Sequence, residues 1–147
     1  MSLNPVVSLL GRRLRLAVIG GGPGSFIGAM HRQAAALDNR YELVAAALSS
    51  NPEKSLRAGR ELGLAADRVY ASGLALIEGE KGKDGGADVV AIMTPNDSHF
   101  ELASAALAAQ GRVTRAPNCK SDWRRLIESE AERDMEHPLV KCWQPCI

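Results

Sequence analysis

Three stretches of this chain are apolar at almost every position: RLRLAVIG (residues 13–20), YELVAAAL (41–48) and DVVAIMT (88–94). Runs this short, closed by glycine, serine or proline, read as strands buried on both faces. Between them the spacing becomes helical. From Ser25 to Leu37 the apolar residues Phe26, Ile27, Met30, Ala34 and Leu37 recur three or four positions apart, which predicts an amphipathic helix. DNR (38–40) is a turn. SSNP ends the second run, and Pro52 opens a helix to about Leu62 that Gly63 stops. RVYA (68–71) predicts a short strand, SGLALIEGE (72–80) a short helix and KGKDGGA (81–87) a polar loop. The stretch 95–111 reads as a helix with Asn96 or Asp97 as its cap and Gly111 as its end.

Strands apolar on both sides that alternate with helices imply a parallel sheet covered on both faces. With right-handed crossovers this is an α/β, doubly wound, Rossmann-like domain, expected over residues 1–117. Residues 1–12 read as a leader, and 118–147 as a short C-terminal tail with one helix, Asp122 to Glu136, capped by Ser121.

Composition narrows the function. A net charge of +1 gives no field for nucleic acid, and 4% aromatic residues give no base-stacking surface. No apolar run reaches the roughly 18 residues that cross a bilayer, and no basic segment precedes the first apolar residues as in a signal peptide. Cys119, Cys142 and Cys146 have no framework spacing, which points to a reducing, cytoplasmic setting. With His137 they offer a zinc set on paper. Cys-x-x-x-Cys with a third cysteine far away is a poor match, so unpaired thiols and no metal are expected. No nucleophile elbow is present to support hydrolysis.

The chemistry lies in AVIGGGPGSFIGAMH (17–31). Gly20, Gly21, Gly22 and Gly24 fall between the first strand and the first helix, where the ligand crevice of such a sheet opens. Glycine permits positive φ and brings backbone close to a ligand, and the helix start near Ser25 presents unpaired N–H groups and positive dipole. A pyrophosphate suits this place. The strict G-x-G-x-x-G spacing is not met. Gly28 comes one position late and is read as easing helix–strand packing. A ligand-free strand-to-helix turn is the alternative. At the end of the second strand, Leu48-Ser49-Ser50-Asn51 lacks the carboxylate that usually bonds the ribose hydroxyls of NAD. Ser49, Ser50, Lys54 or Arg57 would suit a 2′-phosphate, which leans towards NADP or dual use. A polar turn capping the next helix explains the same residues.

Three segments together resemble the N-terminal domain of the glucose–fructose oxidoreductase / inositol dehydrogenase family (Gfo/Idh/MocA): RLAVIGGGPGSFIGAMHRQA, YELVAAALSSNPEKSLRAGRELGL and DVVAIMTPNDSHFELASAALAAQG. The resemblance covers about residues 13–111, and TPNDSHFELASAAL is its most specific part. It implies a cofactor, NAD or NADP, and hydride transfer to or from a sugar- or polyol-like substrate. It would place Gly20, Gly22, Pro23, Gly24, Ser25 and Phe26 along the pyrophosphate and nicotinamide side. Ser49 and Asn51 would face the adenosine ribose, and Thr94, Pro95, Asn96 and His99 would border the nicotinamide. From position alone, His99 near a helix start is equally explained by packing or capping.

After this helix the family continues with a strand and a Glu-Lys-Pro motif whose lysine assists proton transfer, then a second domain that covers the nicotinamide. Here Arg115-Ala116-Pro117 stands near that motif with no lysine before the proline, and Lys120 has the wrong context. The catalytic residue is therefore unassigned. A truncation, or a reading-frame change near residues 110–113, is the expected cause. WRRLIESEAERDM (123–135) would suit packing on a partner chain, so a homo-oligomer is one expected state, as is a catalytically silent binding module.

Overall fold

The computed structural model describes residues 5–37, 39–109 and 112–115. The tail helix expected at 122–136, the cysteines and His137 lie outside them. A short helix, α1 (Pro5–Leu10), precedes β1 (Leu14–Gly20) where a leader was expected. Then follow α2 (Phe26–Leu37), β2 (Tyr41–Ala47), α3 (Pro52–Glu61), α4 (Gly73–Glu80), β3 (Val89–Met93), α5 (His99–Ala108) and β4 (Arg112–Arg115). The strands form one parallel sheet in the order β2-β1-β3-β4. β1 lies between β2 and β3, so the chain turns one way to reach β2 and the other to reach β3. The ends of β1 and β3 are therefore the rim at which such sheets take ligands.

Alternate residues of β1, β2 and β3 feed two separate cores. Ala17, Ile19, Ala45, Ala47, Val90 and Ile92 pack with Leu76 and Ile77 of α4 and Leu102, Ala103 and Ala106 of α5. Leu16, Val18, Ala46, Val89, Ala91 and Met93 pack on the other face with Leu48, Ala58 of α3 and Leu64. Every residue of β3 is buried, as a central parallel strand requires. No helix among the described residues is long and apolar enough to cross a membrane.

The facing of α2 runs against its pattern. An apolar stripe ordinarily turns to the core, yet Phe26 is 75% exposed and Leu37 85%, with Ile27 and Met30 also exposed. Gly28 is the residue of α2 that is buried. Two further expectations are corrected. Val69 makes only an isolated parallel bridge to Ala46, and a 3-10 turn, Ala66–Arg68, precedes it where a strand was expected. The helix expected from residue 95 begins as a 3-10 turn, Asn96–Ser98, and α5 starts at His99 with neither Asn96 nor Asp97 capping it.

A polar network fills the join between β2 and α4. The register of β2 slips against β1 so that Val44 is an extra residue, and its carbonyl accepts from Arg68 Nε at 3.1 Å. Arg68 Nη2 also donates to Glu80 Oε2 at 2.7 Å, Tyr70 donates to Glu80 Oε1 at 2.7 Å, and the Ala87 N–H donates to Oε2 at 3.0 Å. Burial, then the hydrogen bond to Glu80 and its charge, push the Tyr70 phenol up from 10.0 to about 12. In the unfolded chain that proton leaves near pH 10, whereas the folded chain keeps it. The stabilisation from Tyr70 is therefore complete below pH 10 and is lost as pH rises through about 12. An absorbance titration should show one phenol ionising near 12 that is missing from Tyr70→Phe; its ionisation near 10 would contradict the network.

Candidate functional site

The turn from β1 into α2 packs backbone directly on backbone. Gly20 (φ +81°), Gly21 (φ +65°) and Gly24 (φ +84°) take the left-handed conformation that L side chains avoid. A Cβ on Gly20 would lie 2.8 Å from the backbone of Met93, its partner across β1 and β3. One on Gly22 would lie 2.4 Å from the Leu48 carbonyl oxygen, and one on Gly28 would lie 2.0 Å from the Gly21 carbonyl oxygen. The loop is thus wedged between the ends of β2 and β3 and the first turn of α2. Gly28 has the packing role expected of it.

Ser25 closes the start of α2. Its Oγ accepts from the Gly28 N–H at 3.1 Å, and its own N–H donates to the Gly22 carbonyl at 3.0 Å. The first helical bond runs from Ala29 N–H to Ser25. The amides of Gly22, Phe26 and Ile27 find no partner among the described residues. Unpartnered amides at a helix N-terminus attract an anion. Beside them a cleft of about 390 Å³ runs between the loop and the β2–α3 turn, lined by Gly22, Pro23, Ser25, Ser49, Lys54 and Arg57, among others. Arg57 pairs with Glu61 at 3.4 Å on an exposed helix face. These features fit a dinucleotide: amides for its diphosphate, a wall kept low by Gly22, and cations where a ribose phosphate would lie.

The remaining site residues divide. Ser49 lines the cleft, and its Oγ accepts from the Asn51 N–H at 3.1 Å. Asn51 caps α3, its Oδ1 accepting from the Lys54 N–H at 3.0 Å, as the capping alternative has it. Thr94, Pro95 and Asn96 leave the end of β3 next to the glycine turn. Thr94 Oγ1 accepts from Ser98 at 2.8 Å. His99 is only 4% exposed, with Nε2 2.6 Å from the Thr94 carbonyl oxygen. Nε2, facing a carbonyl, donates its proton there, and Nδ1 has no partner among the described residues. Through this bond His99 holds the Thr94 segment from behind. Sequence reasoning overlooked Arg32. Arg32 Nη1 donates to the Gly21 carbonyl at 2.5 Å. The i, i+4 spacing of Gly28 and Arg32 on one face of α2 was the available signal.

Residues 14–114 match the sequence profile of the oxidoreductase family with an NAD-binding Rossmann fold, GFO_IDH_MocA. The chain belongs to the Gfo/Idh/MocA oxidoreductase family. The matched part is the family's NAD-binding Rossmann domain. An uncharacterized oxidoreductase of Bacillus subtilis (strain 168), YfiI, is 36% identical over 102 residues, covering 69% of this chain and 26% of the relative. An oxidoreductase structure from Sinorhizobium meliloti is 43% identical with a TM-score of 0.75, covering 84% of this chain and 35% of its own. An inositol dehydrogenase homolog from Azotobacter vinelandii, solved with NADH and myo-inositol, is 32% identical with a TM-score of 0.73; 82% of this chain and 33% of that chain are covered. This Gfo/Idh/MocA chain therefore spans about a third or less of the length of these relatives.

Proposed function

We propose that the chain binds a nicotinamide dinucleotide as the cofactor domain of an oxidoreductase for sugar- or polyol-like secondary alcohols. When bound, that cofactor supplies the acceptor or donor of hydride. The unpartnered amides of Gly22, Phe26 and Ile27 at the head of α2 carry this reading, because they offer a diphosphate its hydrogen bonds without reorganisation. Pro23, Gly24 and Ser25 shape the same turn, with Phe26 standing exposed at its nicotinamide side. Thr94, Pro95 and Asn96 form the opposite lip, with His99 beneath them. Myo-inositol in the Azotobacter relative supports the polyol class.

The cleft takes both NAD and NADP and favours the latter. Ser49, Lys54 and Arg57 line it, and Glu61, its one lining carboxylate, is paired with Arg57. Lys54→Ala should weaken NADPH binding about tenfold and NADH less than about twofold, since a charge-assisted phosphate contact is worth roughly 1.5–3 kcal/mol. Calorimetric titration of both cofactors checks this; equal losses would remove Lys54 from phosphate recognition.

A second reading, binding without turnover, is favoured by Arg115-Ala116-Pro117, which stands near the place of the family's lysine motif with no lysine before the proline. Assaying polyols with the bound cofactor separates the two. Turnover supports an active enzyme, and binding alone supports the silent module.

A further inference from the structure

The geometry points to Arg32 as the residue that aims the glycine turn, a positioning residue for dinucleotide binding. This rests on the reading that the turn holds a diphosphate. Gly21 has φ +65°, one of several conformations open to a glycine, so something must select it. Its carbonyl oxygen lies against α2 on a single helix face. The Gly28 Cα leaves it room, since a Cβ there would come within 2.0 Å. One turn later Arg32 Nη1 donates to it at 2.5 Å. Across a trans peptide the C=O and the following N–H point in opposite directions. Holding the Gly21 carbonyl toward α2 therefore turns the Gly22 N–H away from α2. Gly22 lines the cleft, and its amide has no partner among the described residues. Arg32 thus fixes the direction of a donor that it does not touch.

The half-buried guanidinium differs in this from a general attractor of phosphate. A charge acting at a distance would leave the loop's mobility unchanged, whereas a clamp on the carbonyl restricts it. The test uses the full chain, Arg32→Met, and Arg32→Lys as the conservative variant. Nitrogen relaxation on the free protein reports the Gly22 amide, and a fluorescence titration reports NADH affinity. The Gly22 order parameter should stand near about 0.85 in the parent and fall to roughly 0.6 or below in Arg32→Met. NADH affinity should fall about tenfold, the loss of one charge-assisted bond, and Arg32→Lys should recover most of both. An affinity loss with Gly22 still rigid would overturn the proposal, because Arg32 would then act by charge alone. So would unchanged rigidity with unchanged affinity. If the parent itself fails to bind NADH, the dinucleotide reading falls, while the mobility of Gly22 still judges the clamp. Should Arg32→Met fail to fold, Arg32→Gln, shorter and uncharged, decides by the same criterion.

Discussion

Gly28→Ala is expected to cost about 3 kcal/mol of stability and to lower dinucleotide affinity roughly a hundredfold. Alanine is the better helix former, so helix propensity alone would favour the change. The site reverses that sign. The new Cβ would stand 2.0 Å from the Gly21 carbonyl oxygen and 2.6 Å from the Gly21 Cα, both backbone atoms. No flexible side chain can yield. Either α2 moves off the sheet or the loop shifts, and the loop has little freedom. Gly22 is pressed toward the Leu48 carbonyl and Gly20 toward Met93. Relief displaces the amides of Gly22, Phe26 and Ile27 together. Urea unfolding and an NADH titration read the two effects. A variant as stable and as tightly binding as the parent would show that the α2–loop contact is not tight.

Glu80→Ala should destabilise the chain by about 3–5 kcal/mol, the range for breaking a buried ion pair from one side. Glu80 is 7% exposed, and its two oxygens receive Arg68, Tyr70 and the Ala87 N–H. Removing it strands a guanidinium, a phenol and a main-chain donor at once. Arg68 keeps its bonds to the Val44 and Gly85 carbonyls, but those are neutral acceptors. Glu80→Gln preserves the shape and one acceptor, so its loss should be smaller. Urea midpoints order the three proteins. A Glu80→Ala chain within about 1 kcal/mol of the parent would show the network to be solvated. The network stands at the opposite end of α4 from Gly73, whose Cβ position faces Ile19 and Leu102. Dinucleotide affinity at the folded plateau should therefore be preserved.

Much of this molecule was legible from its residues, and what was not has a physical cause. The three apolar runs announced β1, β2 and β3 because a strand covered on both sides is apolar at almost every position. The glycine turn was legible because few residues other than glycine accept its angles. The rotation of α2 was not. Periodicity says that a helix has an apolar face, not where the face looks. Contact between Gly28 and Gly21 sets the rotation. At about 100° per residue, Arg32 and Ala35 then fall beside Gly28, while Phe26, Met30 and Leu37 fall within roughly 20° of the opposite pole. That is the exposure observed for these three. Asn51 and His99 were ambiguous for another reason. Residues that cap or prop a loop and residues that touch its ligand sit at the same positions, and a sequence does not show their hydrogen-bond partners. Those partners are the Lys54 N–H for Asn51 and the Thr94 carbonyl for His99.

The central claim, that the head of α2 receives a diphosphate, is tested most directly by following backbone amide resonances as NADH is added. The largest shifts should fall on Gly22, Phe26 and Ile27, with smaller ones along Ser49 and Lys54. Shifts centred instead on residues 81–88 at the far end of the sheet, or none at cofactor concentrations well above the parent's binding midpoint, would contradict it.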